Sequence, residues 1–466
     1  MAPTTVLTEG RFSSLNRLLE ITVLILALLC SYPSSSYGDD THHQDYPLGS
    51  RAVGLGGAFT ALASDASGIF YNPAGLVDAS RNSVSISSNL YGVEIAVEEN
   101  LFEAVGESLV DIESIAAELN IIPNSAGYVG TTKKRDHRGR HVHSYGWGVF
   151  VPSFRGVSIQ TSTPDKQFSY RRDLLDREFH SAAAYAYRFA EDWSFGISAV
   201  ANFRQLKDFE ENTSLDSSGD SDVFSTSQTS LKAIAGTAML TMGLKNEFAP
   251  GWFLGIALTT PGIEFYDFAQ FRVMKTRTLT GNSQEQSTFS LDEPDNVQSS
   301  FSHGGHIRFG VARIFPRKLT LSVDAVFYAP VSYELLKLPP DQSRLMSEIT
   351  IATSIRRNFV GNVNMGAEYL VSDRLSVSGG LFTNLSTSDL IPGEIGARLD
   401  RDYLPHVNEY GMSGVLGYFT EHTLTRFGAM MTYGSGSDVI PQDDAFRKIS
   451  KQSIYLYVFL SSTFRY

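Results

Sequence analysis

The chain lacks the features on which several common protein classes depend. One cysteine in 466 residues cannot form an internal disulfide and cannot build a site from several thiolates. The longest apolar stretch, Ile21 to Leu29, has nine residues and is interrupted by Thr22. Nothing approaches the roughly 20 apolar residues of a membrane-spanning helix. If the chain inserts into a membrane, it must therefore do so with strands. The alternative is a large soluble β protein.

The amino terminus has the organisation of an export signal. Arg11 and Arg17 precede the stretch from Ile21 to Leu29, and Ser36-Tyr37-Gly38 offers small side chains for cleavage. Nine residues make about 14 Å of helix, about half of a hydrocarbon core, which disfavours a membrane anchor. The sequence predicts that residues 1–38 are a removed signal peptide.

The single cysteine, Cys30, raises the alternative of a lipid anchor. Cleavage for lipidation requires a small residue just before the cysteine, whereas Leu29 stands there. Ordinary cleavage is therefore favoured, and it leaves a mature chain without cysteine. Such a chain suits passage through an oxidising periplasm.

Net charge and aromatic content further restrict the class of protein to which the chain can belong. The net charge of −12 argues against nucleic acid as a partner. Aromatic residues make up 12% of the chain, enough to supply girdles at both interfaces of a membrane barrel.

The last fourteen residues, 453–466, alternate as a barrel strand requires. Ile454, Leu456, Val458, Leu460, Phe464 and Tyr466 share one face, and Ser453, Ser461, Thr463 and Arg465 share the other. The terminal aromatic register resembles the signal read by outer-membrane barrel assembly machinery. We therefore assign Phe464 and Tyr466 to an assembly signal and expect that machinery to be a partner.

Short and long turns alternate along the rest of the chain. The short turns fall at Glu191-Asp192, Ala249-Pro250-Gly251, Pro316-Arg317, Ser372-Asp373 and Glu421-His422. Long polar connections are predicted near 92–140, 171–176, 210–226, 262–297, 330–349, 386–405 and 435–452. Short periplasmic turns with longer extracellular loops are typical of outer-membrane barrels. Counted from Asn82, the runs predict an all-β, antiparallel transmembrane barrel of about 14 strands over 82–466, with both termini in the periplasm.

Residues 39–81 do not alternate, and they contain the most specific motif. Gly54, Gly56 and Gly57 permit close backbone approach, and Asn72-Pro73 fixes a turn before Ala74. The glycines alone are weak evidence for a phosphate-binding loop, because no Gly-Lys-Ser/Thr follows them.

The Gly-Leu-Gly opening at 54–56, the Asp65-Ala66 step and the Asn72-Pro73-Ala74 triplet resemble the plug of the FadL/TodX family of outer-membrane transporters for hydrophobic compounds. The resemblance is closest over residues 51–76. It implies that residues 39–81 form a hatch inside the lumen of a fourteen-stranded barrel in a Gram-negative outer membrane.

The resemblance also implies a mechanism. A fatty acid or other hydrophobic compound would be captured at extracellular loops and released through a hatch-gated, lateral route, without a cofactor. Hatch or gating roles would fall to Gly54, Gly56, Gly57, Asp65, Asn72, Pro73 and Ala74. Phe59, Phe70 and Tyr71 are candidates for ligand contact by their chemistry, or else pack the hatch on the barrel. Related barrels with a similar opening serve protein secretion, so a non-transporting scaffold or shuttle is the alternative.

The remaining features give weaker predictions. Apolar residues at helical spacing predict a helical insert in the first extracellular loop at about 94–122, either a lid or an acidic cap. His137, His141 and His143 cluster, and His303 and His306 flank Gly304-Gly305, but neither group has thiolates or a carboxylate at a recognised ligand spacing, so no metal site is predicted. The basic run around them, from Lys133 to Arg140, suits lipopolysaccharide phosphates or is merely solvated. No Gly-x-Ser-x-Gly occurs, so an enzyme is not expected. We expect a monomer among outer-membrane lipids.

Overall fold

The computed structural model describes most of the predicted mature chain. The described residues are 41–79, 82–98, 112–118, 122–162, 168–216, 222–280, 285–294, 297–338, 354–391, 405–442 and 445–466. The predicted signal peptide, residues 1–38, lies outside them.

Strands dominate the described chain. Three short helices come first: α1 (Ser50–Gly54), α2 (Gly68–Tyr71) and a 3-10 helix (Pro73–Asp78). The strands are β1 (Ser83–Glu98), β2 (Ile112–Glu118), β3 (Ile122–Thr131), β4 (His143–Phe150), β5 (Phe154–Ser162), β6 (Phe168–Arg188), β7 (Trp193–Asp216), β8 (Asp222–Ala249), β9 (Trp252–Thr259), β10 (Ile263–Thr280), β11 (Glu285–Asp292), β12 (His306–Phe315), β13 (Leu319–Tyr328), β14 (Val331–Glu334), β15 (Ser354–Arg357), β16 (Val360–Ser372), β17 (Leu375–Asn384), β18 (His406–Phe419), β19 (Thr423–Gln442) and β20 (Ala445–Arg465). Among the described residues, no helix is long and apolar enough to cross a membrane.

The strands close into an antiparallel barrel with 14 positions. β20 pairs with β19 on one side and with β1 on the other, from Ser83 opposite Arg465 to Glu98 opposite Lys451. Four positions are each filled by two consecutive segments: β2 with β3, β4 with β5, β9 with β10, and β11 with β12. β14 and β15 form a separate hairpin. The predicted fold class and strand count are confirmed.

The five predicted short turns all join consecutive strands of this barrel. They connect β6 to β7, β8 to β9, β12 to β13, β16 to β17 and β18 to β19. Exposed aromatic side chains flank them, as where Phe189 stacks on Trp193 and Phe248 lies against Trp252. Such a band of rings is typical of a membrane–water interface.

The two faces of the wall differ as the last strand predicts. Ile454, Leu456, Leu460, Phe464 and Tyr466 are exposed on the outside, whereas Ser453, Ser461 and Thr463 are buried on the inside. The outward row supplies the apolar band for lipid, and the inward row faces the lumen.

The predicted helical insert and several of the predicted loops are wrong. Residues 94–98 continue β1 and residues 112–118 form β2, so this part of the predicted helical insert is strand; residues 99–111 and 119–121 lie outside the described chain. The loop predicted at 171–176 lies within β6, and the loops near 210–226 and 435–452 are largely taken up by strands. β7 has 24 residues and β8 has 28, although about 10 suffice to cross a bilayer. The long strands therefore extend beyond the apolar band.

Candidate functional site

The N-terminal segment, residues 41–79, contacts inward-facing residues around the whole ring of strands. Arg51 near its start meets β13 and β16, Val53 meets β18, and Asn72 meets β8. Gly49 donates from its amide to the side chain of Asn124, 3.0 Å away. Strands on several sides thus hold the segment that the sequence assigns to a hatch.

Glycines allow this segment and the wall to touch through their backbones. Gly56 and Gly57 have φ of 61° and 86°, in the region that favours glycine. A Cβ on Gly380 of β17 would lie 2.1 Å from the Gly56 nitrogen, and one on Gly56 would lie 2.8 Å from the Leu381 nitrogen. Both are contacts with backbone atoms and are shorter than Cβ contacts in proteins, so the close approach depends on glycine.

Asn72 joins the segment to itself and to the wall. Its side chain is fully buried, and its Nδ2 donates to the Thr60 carbonyl at 2.9 Å and to the Leu244 carbonyl of β8 at 3.2 Å. Its Oδ1 accepts from the Ala74 amide at 3.1 Å and caps the 3-10 helix that Pro73 begins. Asp65 acts locally, because its carboxylate accepts from the Ser67 amide at 2.9 Å.

The three candidate contact residues lie in two environments. Phe59 and Tyr71 are buried, with their rings edge to face at 5.9 Å, and the Tyr71 hydroxyl accepts from the Leu48 amide. Both side chains therefore pack within the segment itself. Phe70 is only partly buried, and its ring lies 5.9 Å from that of His180 on the wall. Phe70 therefore remains the candidate for ligand contact.

Ion pairs at both ends of the segment were not foreseen, since their partners are far apart in the sequence. Arg51 Nη2 lies 2.7 Å from Glu368 Oε2, and Arg426 binds the other oxygen of that carboxylate. At the other end, Asp78 pairs with Arg188 and, at 2.7 Å, with Lys245. Burial alone would raise the pKa of Asp78, but these two cations hold it below its ordinary value of 3.8.

The third barrel position is broken next to the N-terminal segment. β4 ends at Phe150, β5 begins at Phe154, and Pro152 between them has no amide hydrogen to donate. Asp45 occupies the break: its amide donates to the Pro152 carbonyl at 3.0 Å, and its Oδ2 accepts from the Phe154 amide at 2.9 Å and the Ser153 hydroxyl at 2.7 Å.

The wall is also less continuous beside this break. The ladder between β3 and β4 ends where Ser125 lies opposite Phe150. Beyond that point, within the described residues, β5 is paired with β6 alone. The edge of β5 that faces the second barrel position is thus a seam in the hydrogen-bonded wall.

One part of the lumen is apolar rather than polar. Buried side chains from β7, β8, β10, β15 and the connections around them pack together, and we call this group the lumen cluster: Leu206, Leu231, Ala233, Ala235, Phe271, Val273, Phe301, Tyr333, Leu335, Leu336 and Ile355. A chain of ring contacts links it to the N-terminal segment, from Phe301 to His303 at 4.9 Å, then to His180 at 5.8 Å, and then to Phe70. The lumen cluster is thus connected to the segment through the two histidines.

Comparison with known proteins supports the fold. No protein-family model matches the sequence, and no curated protein matches it. A FadL homologue from Pseudomonas aeruginosa is similar in structure, with 11% identity and a TM-score of 0.57, covering 92% of this chain and 100% of that one. The toluene transporter TodX of P. putida has 13% identity and a TM-score of 0.56, over 89% and 97% of the two chains. The toluene transporter TbuX of Ralstonia pickettii has 12% identity and a TM-score of 0.53, covering 90% of this chain and 99% of that one.

This chain is similar in fold to the barrels of the FadL/TodX family. The resemblance stated from residues 51–76 is confirmed for the fold, because the match extends over about nine-tenths of the chain. At such low identity the likeness concerns architecture, so residue roles must be argued from the contacts described above.

Proposed function

We propose that the protein transports hydrophobic compounds, such as long-chain fatty acids or aromatic hydrocarbons, across a Gram-negative outer membrane. The observation that carries the proposal is the lumen cluster. A lumen that passes only polar solutes is lined by polar groups, whereas here eleven largely apolar side chains pack together at one place in an otherwise polar lumen. Apolar side chains in the lumen favour transport of a hydrophobic substrate over a role as a protein-secretion scaffold, because a scaffold does not require apolar groups in its lumen.

The route we propose is lateral. A substrate captured at the extracellular side would enter the lumen near the lumen cluster, pass Phe70 and leave through the break between β4 and β5. Asp45 fills the hydrogen-bonding positions at that break. Movement of the hatch would withdraw Asp45 and free the seam, so an apolar molecule could reach the bilayer without entering water.

A disulfide that locks the hatch to the wall tests the proposal. Ser50 Oγ of the hatch lies 3.0 Å from Ser461 Oγ of β20, a separation that a Ser50→Cys/Ser461→Cys disulfide can span. Cys30 belongs to the predicted signal peptide, so no other thiol competes. A matched control joins two wall strands through Thr241→Cys/Thr259→Cys, whose Oγ1 atoms are 2.9 Å apart.

The assay is uptake of labelled toluene and of a labelled long-chain fatty acid by cells that carry each variant. We expect the oxidised hatch lock to abolish uptake and a reductant to restore it, while the wall control transports throughout. The compound whose uptake responds identifies the substrate class. Equal uptake by locked, reduced and deleted strains would contradict transport and favour the scaffold or shuttle.

A further inference from the structure

Three ligand-type side chains meet in the lumen just above the hatch. Glu178 and His180 stand two residues apart on β6 and share its inner face, and His303 comes from the connection between β11 and β12. Glu178 Oε2 lies 2.9 Å from His303 Nε2 and 3.6 Å from His180 Nε2. The ligand atoms of all three lie within 4.8 Å of one another.

One of these atoms lacks a hydrogen-bond partner. His180 Nε2 is buried and makes no hydrogen bond of normal length among the described residues; the atom that faces it is Glu178 Oε2, 3.6 Å away. The whole side chain is only 10% exposed, and those of Glu178 and His303 are 4% and 9% exposed. A buried polar atom without a partner is costly, so this nitrogen points to a ligand that the three residues share.

The donor set and its spacing suit a divalent transition metal. Imidazole nitrogen and carboxylate oxygen bind Zn²⁺ at about 2.0–2.2 Å, which places tetrahedral donors roughly 3.3 Å apart. The distances of 2.9 and 3.6 Å lie on either side of that value. Two histidines and one glutamate with a fourth position open form a known type of zinc site.

The surroundings permit a cation. Arg204 lies near Glu178, but its guanidinium is bound to Asp176, with Nε 2.8 Å from Oδ1. The rings of Phe301 and Phe70 flank the two histidines and limit access of water.

We propose that Glu178, His180 and His303 bind a divalent transition-metal ion, with Zn²⁺ as the reference ion. The ion would join the inward-folded connection to β6 beside the break in the third barrel position, since the Glu178 amide donates to the Ser153 carbonyl. The bound ion would stabilise the barrel wall close to the seam. The site does not depend on the transport proposal, because its test measures binding alone.

The test is titration of the purified, full-length mature barrel in detergent with Zn²⁺ by calorimetry, and with Co²⁺ by visible absorption. We expect one equivalent of each ion, with the intense Co²⁺ bands of a four-coordinate site. Glu178→Gln keeps the shape and a hydrogen-bonding group but removes the charge, and His180→Ala removes a side chain without a hydrogen bond. Both should fold normally and bind Zn²⁺ at least about tenfold more weakly.

An exposed histidine provides the matched control. His143 stacks on Tyr187 at the outer surface, away from the lumen, and His143→Ala should bind as the parent does. Heat-dependent migration in gels verifies that each barrel is folded. No stoichiometric binding by the parent, or equal binding by the parent, Glu178→Gln and His180→Ala, would overturn the metal site and leave the three residues as a hydrogen-bonded contact.

Discussion

Asn72→Ala should release the hatch without unfolding the barrel. The substitution removes three hydrogen bonds: two from Nδ2, to the carbonyls of Thr60 and Leu244, and one to Oδ1 from the Ala74 amide. A buried hydrogen bond contributes about 1 kcal/mol net, so the local stability of the hatch should fall by about 3 kcal/mol. At 1.4 kcal/mol for each factor of ten, that is a roughly 100-fold increase in the open population.

Hydrogen exchange followed by mass spectrometry measures this opening directly. Amides of residues 59–79 should lose about 100-fold in protection, whereas those in the barrel strands should be unchanged. Asn246→Ala is the matched control, because Asn246 is a buried asparagine of β8 that donates to the Asp192 carbonyl at a wall turn. It should affect that turn alone. Protection at 59–79 that stays within twofold of the parent in a folded Asn72→Ala barrel would refute the reasoning.

Three further predictions concern the contact between hatch and wall. Gly380→Ala would place a Cβ 2.1 Å from a hatch backbone nitrogen and should expose the hatch to protease, whereas Gly414→Ala on the adjacent strand has open space and should not. Because the pKa of Asp78 is lowered, its ion pairs with Arg188 and Lys245 are complete above pH 3.8 and are lost as the pH falls through the lowered pKa. Hydrogen exchange at residues 73–79 should therefore rise in that acidic range. The Asp78→Asn variant should not show this pH-dependent rise. A bulky thiol label on Ser153→Cys at the strand break should block uptake, while the same label on Ser372→Cys at a short turn should not, and equal uptake would argue against the lateral route.

The strand count could be predicted from sequence because its determinants are local. Alternation identifies a wall strand within ten residues, and turns such as Pro316-Arg317 mark strand ends without reference to any distant partner. Local pattern also produced an error, because helical spacing of apolar residues placed residues 94–98 in a helix. Val93, Ile95 and Val97 alternate with polar or small residues there, and pairing of β1 with both β20 and β2 extends the strand despite the helical spacing of the apolar residues.

Only part of the candidate site could be predicted from the sequence. The motif at 51–76 marked the segment that contacts the wall, because glycines and Asn-Pro indicate a particular backbone conformation in the sequence itself. Asp45 gave no such signal, since its role exists only where Pro152 interrupts a strand more than a hundred residues later. His303 was noticed only as a neighbour of His306, and its partner Glu178 could not be predicted, because the two meet through a connection that folds inward.

Taken together, the break, the lumen cluster and the three ligand-type residues lie along one path. The N-terminal segment contacts the break and the three ligand-type residues directly and the lumen cluster only through them: Asp45 fills the break, and Phe70 lies near His180, whose ring neighbour His303 lies against Phe301 of the lumen cluster. The displacement of this segment proposed above would therefore affect the break directly and the lumen cluster through the two histidines. A wall held by hydrogen bonds on both edges of every strand could not respond in this way, because opening it would leave buried backbone groups without partners. Within the described residues, the seam beside β5 avoids that cost, so it is where the lateral opening proposed above would take place.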